Sequence, residues 1–401
     1  MRFLMLCMQF PTGPGRSYMT TELADALEAE GHEVEVLFLD WSAPPGGDTH
    51  CFFTGRGTRV VHCAPRAING FGSLIAGASK FFLSGRHVAA VARRHFKLER
   101  FDALIAWMPA IAIAPLLPLV RRAGIRHRLL FIWDFFPDHH REIGRIPNGP
   151  PFWAARAWEQ RLLAQFTAII CTLPGNAAYL RRHYSVRPDQ RVLVTPVWSD
   201  TSPMPRSDRA AVRARHGLPT DRPIAVFGGQ LVEGRGFEQM LAAADAGSIA
   251  GSELLYLFVG DGRLGPMLAR RADAQSNIRV LPALARADYL ALLGACDVGM
   301  VATVPGVSSF SIPTKTIDYL RAGLPVVAAL EPGNDFIEII ERYRVGQAVP
   351  FDDSAMFQRE AERLATDPVA RATAGERAPR CLDEIFDVSH AVATVIDAAR
   401  A

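Results

Sequence analysis

The chain alternates between short apolar runs and longer segments with one apolar face. Residues 2–8 form the first apolar run, and residues 33–39 form the next. Between them, Leu23, Ala24 and Leu27 recur at helical spacing and predict an amphipathic helix. A strand, a helix and a second strand in this order predict a parallel sheet with a helix packed on it.

The same order of elements begins again at residue 223. The residues just before this second start are polar and proline-dotted, which is typical of a connector. A chain of 401 residues is also too long for one ordinary core. We therefore expect an α/β protein with a first domain at residues 1–198, a linker at 199–222 and a second domain at 223–385.

The segment 301–330 combines a polar loop, a helix and a buried strand. Glycine and proline interrupt the loop, which contains Ser311, so the loop is expected at the surface. The helix is predicted to begin near Pro313, because proline is tolerated in a first turn, and to end at Gly323. The apolar, β-branched run that follows predicts a buried parallel strand.

The start of this helix has the chemistry of an anion site. Free backbone N–H groups, the positive end of the helix dipole and Lys315 all favour a phosphate. Asp318 lies one turn further on, where it could accept hydrogen bonds from the paired hydroxyls of a sugar. A loop, a helix and a strand in this order also occur in α/β proteins that bind no phosphate, so a purely structural interpretation stays open.

A glycine-rich turn follows the first predicted strand. It contains Gly13 and Gly15 and leads into the first helix. Glycines allow a backbone to approach a phosphate closely, but their spacing here is not that of the dinucleotide-binding fingerprint. The turn alone is therefore a weak indication of nucleotide binding.

Acidic and histidine residues follow the apolar run at residues 129–133. Active sites of parallel sheets lie beyond the carboxyl ends of the strands, so Asp134 and His139 are candidate site residues. An aspartate beside two histidines could also suggest a metal site, although the defined spacing of metal ligands is absent. The alternative is that Asp134 only caps the next turn.

The composition excludes several classes of protein. Hydrophobic residues make up 49% and charged residues 21%, an ordinary globular balance, and the net charge of +3 is too small to indicate nucleic-acid binding. The six cysteines are isolated and lack metal-ligand pairing, so we expect reduced thiols in a cytoplasmic protein. Residues 3–8 are too short for an export signal and no cleavage site follows.

Two segments raise the question of membrane contact. Residues 103–120 are uncharged and nearly long enough to span a bilayer, but they contain three prolines, which favours a strand followed by a buried helix. Residues 66–100 mix aromatic side chains with arginine and lysine, and they either pack inside the domain or lie in an anionic membrane interface. Basic clusters such as residues 93–95 and 126–128 fit solvated helix faces or an anionic membrane or acceptor surface.

Several of these motifs resemble one family. Residues 313–315 (Pro-Thr-Lys) and 318–320 (Asp-Tyr-Leu), ahead of Gly323, are similar to the donor motif of the family-four retaining glycosyltransferases. They resemble in particular the bacterial branch that makes O-antigen, capsule or exopolysaccharide, as do residues 134–138 (Asp-x-x-Pro-acid). The family usually carries two glutamates in the donor motif. Asp318 takes the second position, and the first falls on or near Phe310, which is not acidic.

This resemblance implies the GT-B fold, in which two Rossmann-like domains face each other across a cleft. The first domain would serve the acceptor and the second the nucleotide sugar, and the C-terminal helix, residues 386–401, would return to the first domain. Enzymes of this kind retain the anomeric configuration, and the departing phosphate is thought to take the acceptor's proton. No metal and no other cofactor is then expected.

The resemblance also assigns site residues. The diphosphate-binding candidates are Gly13, Gly15, Gln230, Arg235, Ser311, Thr314 and Lys315. Gln230 and Arg235 occupy the places of two cations in the family, so one cation is kept. Asp318 would bind the ribose, Arg279 and Leu281 would lie near the base, and Asp134, with His139 as the second candidate, would be catalytic.

The expected reaction moves a hexosyl or N-acetylhexosaminyl unit from a nucleotide sugar, with a UDP-sugar expected, to a saccharide acceptor carried on polyprenyl diphosphate. The setting would be the cytoplasm or the inner face of the cytoplasmic membrane. Two alternatives stay open: a sugar-nucleotide epimerase or hydrolase of the same fold, or a non-catalytic sugar-nucleotide-binding protein.

Overall fold

The computed structural model describes residues 1–11, 18–68, 73–142, 144, 146–199, 201–202, 204, 207–303 and 312–400. The described chain separates into two compact units. The first unit contains the described residues up to 197 together with 388–400, and the second contains the described residues between 198 and 387.

The first unit is built on a largely parallel sheet. Its described strands are β1 (Arg2–Cys7), β2 (Glu33–Leu39), β3 (His50–Phe53), β4 (Arg59–Cys63), β5 (Ala103–Trp107), β6 (His127–Ile132), β7 (Ala168–Cys171) and β8 (Arg191–Val194). They lie in the order β3-β4-β2-β1-β5-β6-β7-β8. Only β3, paired with β4 at one edge, runs antiparallel among these strands.

Helices connect these strands. They are α1 (Met19–Ala29), α2 (Ser73–His95), α3 (Leu117–Arg122), α4 (Asp138–Glu142), α5 (Pro150–Leu163) and α6 (Pro174–His183). On α1, the residues buried against the sheet include Leu23, Ala24 and Leu27, as their spacing predicts.

The uncharged segment 103–120 is divided as its prolines predict. It forms β5, a 3-10 turn at Ala110–Ile113 and the start of α3, where Pro118 lies in the first turn. Among the described residues, no helix combines the length and the apolar character needed to cross a bilayer.

The helix α2 accounts for much of the segment 66–100. Val88, Val91 and Ala92 are buried and join the core of the first unit. Phe82 and Arg86 lie on the exposed side of the same helix. The segment therefore packs inside the unit along one face and presents an aromatic and basic face outward.

The second unit contains an all-parallel sheet in its described part. Its strands are β9 (Ile224–Gly228), β10 (Leu255–Val259), β11 (Ile278–Leu281), β12 (Val298–Ala302), β13 (Val326–Leu330) and β14 (Gly346–Pro350), in the order β11-β10-β9-β12-β13-β14. The residues of β9, β10, β12 and β13 are buried throughout, because helices cover both faces of the sheet.

The helices of this unit are α7 (Arg209–Arg215), α8 (Phe237–Ile249), α9 (Gly265–Ala274), α10 (Arg286–Gly294), α11 (Lys315–Arg321), α12 (Asp335–Tyr343), α13 (Ser354–Thr366) and α14 (Pro368–Cys381). The last helix, α15 (Val388–Arg400), packs in the first unit against α1, β6 and β8. There Arg191 on β8 donates a hydrogen bond to the backbone oxygen of Asp397 at 2.8 Å.

Within residues 199–222, which the sequence predicts as a linker, α7 is held on the second unit by ion pairs. Asp297, which is buried just before β12, pairs with Arg213 on α7 at 2.7 Å and with Arg209 at 2.8 Å. Arg371 on α14 reaches the same carboxylate at 2.5 Å. These ion pairs fix α7 to the sheet, so this part of the stretch is not a free tether.

Both sheets reverse their strand order at one point. The reversal lies between β1 and β5 in the first unit and between β9 and β12 in the second. In open parallel sheets, ligands bind at the carboxyl ends of the two strands that flank such a point. The loops after β9 and β12 are therefore where a ligand of the second unit is expected.

Candidate active site

The loop after β9 leads directly to the start of α8. Gly236 is the N-cap residue of α8 and has a φ of 68°. A Cβ atom on Gly236 would lie 2.3 Å from the Cβ of Ala302 at the end of β12, so only glycine allows this close approach. No side chain caps α8, which leaves first-turn N–H groups available to a ligand.

Lys315 begins α11 on the other side of the reversal point. Its Nζ lies 3.3 Å from the centroid of the Phe227 ring, at the end of β9. Burial, and then the charge of the nearby Arg235, lower the pKa of the Lys315 ammonium well below its ordinary value. Two cations are thus held close together on elements that are far apart in sequence.

Neither cation is neutralised by a neighbouring acid. Within the described residues, no carboxylate forms an ion pair with Lys315 or Arg235, whereas Glu233 on the same loop pairs with Arg263 at 2.6 Å. Like charges brought together without an acid repel each other, and a bound anion would relieve that repulsion. The arrangement is therefore chemically suited to a multiply charged anion.

Of the other diphosphate candidates, the structure describes Gln230 and Thr314. Gln230 is exposed on the loop after β9, and Thr314 is exposed at the N-cap of α11 without a capping bond from its side chain. Gly13, Gly15 and Ser311 lie outside the described residues, as does Phe310.

Asp318 is held by arginines. Arg286, in the first turn of α10, donates two hydrogen bonds of 2.6 Å each, one to each carboxylate oxygen. Arg321, one turn further along α11, lies 3.9 Å from the same carboxylate. Sequence reasoning missed Arg286. A cation in the first turn of a helix opposes the helix dipole and is a signal that it has a specific partner.

Tyr319 fixes α11 against the sheet. Its hydroxyl accepts a hydrogen bond from the backbone N–H of Gly228 at 3.1 Å and donates one to the backbone oxygen of Met300 at 3.4 Å. Gly299 has no side chain and so leaves room for the buried ring. Both Lys315 and Asp318 therefore project from a helix with a fixed position.

Tyr289 adds a second hydroxyl at the end of β9. Its ring lies so close to Gly228 that a Cβ on that glycine would be 2.0 Å from the tyrosine hydroxyl. Burial raises the pKa of the Tyr289 hydroxyl well above its ordinary value, and the neighbouring Tyr319 and Asp318 add to the effect. Tyr289 was also missed, because its position depends on how α10 packs.

The two base-proximal candidates lie on the edge strand β11. The backbone oxygen of Leu281 accepts a hydrogen bond from Gly260 at 3.0 Å, which places Leu281 at the carboxyl edge of the sheet. Arg279 is exposed, two residues earlier, and its guanidinium donates to the backbone oxygen of Ile278. Within the part of the chain that the structure describes, no hydrogen bond or ion pair joins Arg279 to Lys315 or Arg235.

In the first unit, Asp134 and His139 both follow β6. Asp134 is exposed, and its carboxylate makes no hydrogen bond or ion pair with any described residue, so it does not cap the next turn. His139 is half-buried, and its Nδ1 has no partner among the described atoms. The exposed Asp134 carboxylate is therefore available to a ligand, whereas the His139 Nδ1 is buried without a described hydrogen-bond partner.

The buried acid of this segment is Asp138. Arg156 on α5 lies 2.5 Å from its carboxylate, and the Tyr184 hydroxyl donates to it at 2.9 Å. Arg141 lies 3.6 Å away. Asp138 is the acid at the end of the Asp-x-x-Pro-acid motif, and sequence reasoning assigned it no role because its burial and partners come from α5 and α6.

A cavity of about 880 Å³ opens beside this ion pair. It is lined by α4, α5 and α6, with cationic, amide, carboxylate and aromatic side chains: Asp138, Arg141, Glu142, Trp153, Arg156, Gln160, Tyr179, Arg182 and His183, with Ala157, Gly175 and Ala178. Trp153 is 57% exposed, which leaves an aromatic face open at this cavity. Its size and mixed lining suit a small organic ligand rich in hydroxyl groups.

The described residues contain no group of three or more His, Cys, Asp or Glu side chains placed to hold a metal ion. His139 and His140, near Asp134, are therefore not part of any such group.

The two units each match a known family. Residues 15–198 match the Glycosyl transferase 4-like domain, and residues 222–367 match the Glycosyl transferases group 1. Together the two matches cover most of the chain, which belongs to the glycosyltransferases that combine these two domains, and its two parallel-sheet units have the GT-B fold.

Curated relatives cover most of the chain. The chain is 25% identical over 279 residues to the glycosyltransferase WbjE of Pseudomonas aeruginosa, with 67% of each chain covered. It is 22% identical over 347 residues to WcaI of Escherichia coli (strain K12), described as a colanic acid biosynthesis glycosyl transferase, with 83% of each covered. A D-inositol 3-phosphate glycosyltransferase of Kineococcus radiotolerans is 26% identical, covering 91% of this chain and 86% of the relative.

Solved structures share the fold over almost the whole chain. Sucrose-phosphate synthase from Thermosynechococcus elongatus has a TM-score of 0.76 at 18% identity, covering 100% of this chain and 98% of that one. WaaG, a glycosyltransferase involved in lipopolysaccharide biosynthesis, has a TM-score of 0.68 at 14% identity, with 98% of each chain covered. Anabaena HepE, solved with UDP and glucose, has a TM-score of 0.68 at 16% identity, covering 99% and 98%.

Proposed function

We propose that this glycosyltransferase moves a hexosyl or N-acetylhexosaminyl unit from a nucleotide-diphosphate sugar to a saccharide acceptor, with retention of configuration, in the synthesis of a cell-surface polysaccharide. One observation carries the proposal. At the strand-order reversal of the second unit, the Lys315 ammonium lies against Phe227 and Gly229, beside the loop that carries Arg235, and no described carboxylate pairs with either cation.

The cation pair suits the donor's diphosphate. The guanidinium of Arg235 can bind phosphate oxygens in bidentate fashion, while Lys315 supplies a point charge. The uncapped start of α8 adds backbone donors and the positive end of a helix dipole. As the anomeric bond breaks, negative charge grows on the leaving diphosphate, and groups already in place stabilise that charge without reorganising.

The rest of the donor would extend from this point along the carboxyl edge of the sheet. Asp318 is a carboxylate suited to ribose hydroxyls, and Leu281 marks the edge where a base could pack. A UDP-sugar is the donor that we propose, in line with the UDP held by the HepE structure.

The acceptor side would use the first unit. Asp134 and His139 are unpaired groups at the carboxyl end of β6, able to contact the acceptor or the transferred sugar. The nearby cavity could hold further sugar units, because sugar C–H groups pack on an aromatic face such as that of Trp153 and hydroxyls pair with planar polar groups. With retention, the departing phosphate oxygen would take the acceptor's proton.

A lipid-linked acceptor and contact with an anionic membrane belong to the same proposal. Phe82 is 50% exposed on α2 and contacts Trp158 of α5 in a tilted arrangement, with ring centroids 4.8 Å apart. Arg86 and Arg93 are exposed on the same helix. Exposed aromatics beside cations favour the interface of an anionic bilayer, where a polyprenyl-diphosphate acceptor would be found.

The test measures nucleotide release from a panel of UDP-, GDP-, ADP- and dTDP-sugars, with and without a polyprenyl-diphosphate-linked saccharide. We expect one donor to be consumed only when acceptor is present, with a product that keeps the donor's anomeric configuration by NMR. Equal release without acceptor would instead identify a hydrolase, and conversion of the donor into an epimeric nucleotide sugar without acceptor would identify an epimerase. Donor binding without release would identify a binding protein.

A further inference from the structure

The Arg286–Asp318 pair has the geometry of a fork. Two parallel hydrogen bonds of 2.6 Å join the guanidinium to both carboxylate oxygens, although the two residues come from different helices. We propose that Arg286 is a positioning residue: it orients the Asp318 carboxylate so that the protein selects a nucleotide that carries ribose hydroxyls. This inference rests on the proposed function, because it concerns the ribose of the same donor.

The carboxylate is restrained from several sides. Arg321 lies 3.9 Å from it and is only 7% exposed, so this second cation has little freedom to move. The bonds of Tyr319 to Gly228 and Met300 fix the helix that carries Asp318. A carboxylate held in one plane loses little conformational freedom when a ligand binds, which favours affinity and selectivity.

The fork leaves acceptor capacity for a ligand. A carboxylate has about four lone-pair positions, and Arg286 uses one on each oxygen. The remaining positions can accept hydrogen bonds only from donors such as hydroxyl groups. A sugar that lacks its 2′ and 3′ hydroxyls would leave these acceptors without the ligand's hydrogen bonds.

A purely stabilising role does not account well for the pair. The Arg286 side chain is 38% exposed, although that of Asp318 is only 13% exposed, and an ion pair whose guanidinium water can reach contributes less to stability than a fully buried one. The pair also lies beside Tyr289, at the end of β9 where a ligand of this sheet is expected. Another ion pair on the same helix, Asp288 with Arg215 at 3.4 Å, is exposed on both sides and serves as a matched control.

The experiment compares ribose and dideoxyribose ligands. Calorimetry would measure the affinities of UDP, GDP, ADP and CDP and of their 2′,3′-dideoxy counterparts for the wild-type protein. For the base that binds best, we expect the ribonucleotide to bind about 10- to 100-fold more tightly, which corresponds to one charge-assisted hydrogen bond. Asp318→Asn should remove most of this preference.

In Arg286→Gln we expect the preference to fall to about threefold or less, because the carboxylate loses its fixed plane. Arg286→Lys keeps the charge without the fork and should recover part of the preference. Arg215→Gln, which breaks the control pair, should leave both affinities unchanged. Circular dichroism and melting temperature show whether each variant is folded.

Several results would overturn the inference. The Arg286→Gln variant could keep the wild-type ratio of the two affinities, even if it binds the ribonucleotide and the dideoxynucleotide equally more weakly. That result would mean that Arg286 does not orient the carboxylate. A larger preference would mean that Arg286 competes with the ribose. A wild-type protein that binds diphosphates without any ribose preference would remove this role of Asp318 but keep the diphosphate site. A wild-type protein that binds none of the eight nucleotides would remove the proposed function as well.

Discussion

Replacing Lys315 by methionine removes a charge from the donor site while keeping a side chain of similar length. The residue is half-buried and its ammonium lies 3.3 Å from the centre of the Phe227 ring, where methionine can still pack. The loss of one preorganised donor to a developing oxyanion typically costs about 10²- to 10³-fold in turnover, or roughly 3–4 kcal/mol. We expect a fall of that size in kcat for Lys315→Met.

Stability should change far less than turnover. The variant loses a cation–π contact, worth about 0.5–2 kcal/mol, but it also loses the cost of a desolvated charge and the repulsion from Arg235. These effects oppose each other, so we expect the free energy of unfolding to stay within about 1 kcal/mol of wild type. An inactive variant of normal stability separates the functional role from a folding defect.

The assay is donor-dependent product formation with saturating acceptor, run beside urea unfolding. Lys97→Met is the matched control, because Lys97 is exposed in the first unit. A Lys315→Met enzyme with turnover within threefold of the control would refute the reasoning, whatever its stability.

Three further predictions follow from named contacts. The folded protein lowers the pKa of Lys315, whereas the unfolded chain keeps a pKa of about 10.4, so the unfolded state binds more protons between the two values. The free energy of unfolding of the wild type should therefore rise with pH across that window. This part of the slope should be absent in Lys315→Met. Asp297→Asn leaves the buried Arg213 without its carboxylate and should cost about 3–5 kcal/mol in urea unfolding, whereas Asp288→Asn, at an exposed pair, should cost under about 1 kcal/mol; equal costs would contradict this. Gly236→Ala forces a left-handed residue against Ala302 and should cost about 2–4 kcal/mol by the same measurement, and a change under about 0.5 kcal/mol would contradict it.

The repeated strand and helix pattern could be predicted from sequence because buried parallel strands are almost continuously apolar. Residues 3–8 and 103–107 have this character, and residues 36–39 share it after the two glutamates of 33–35; the structure forms β1, β5 and β2 there. The edge strands lack it. In β3, His50 and Phe53 are exposed, and β8 is only partly buried, so periodicity gave no signal for either strand.

The site could be predicted only in part. Lys315 was predicted from the helix start that follows the polar loop, and Arg235 only from the family resemblance; that both lie at the same edge of the sheet is a consequence of the strand order, with β9 beside β12. The partners of Asp318 and Asp138 were not predictable. Arg286 is 32 residues from Asp318, and Arg156 is 18 residues from Asp138, so both pairs depend on how helices pack.

The central claim is that Lys315 and Arg235 bind the diphosphate of a nucleotide sugar. The most direct measurement is a crystal structure of the protein with the donor identified by the release assay. The account predicts diphosphate oxygens within about 3 Å of the Lys315 Nζ and of the Arg235 guanidinium. A donor bound with its diphosphate away from both side chains would contradict the account.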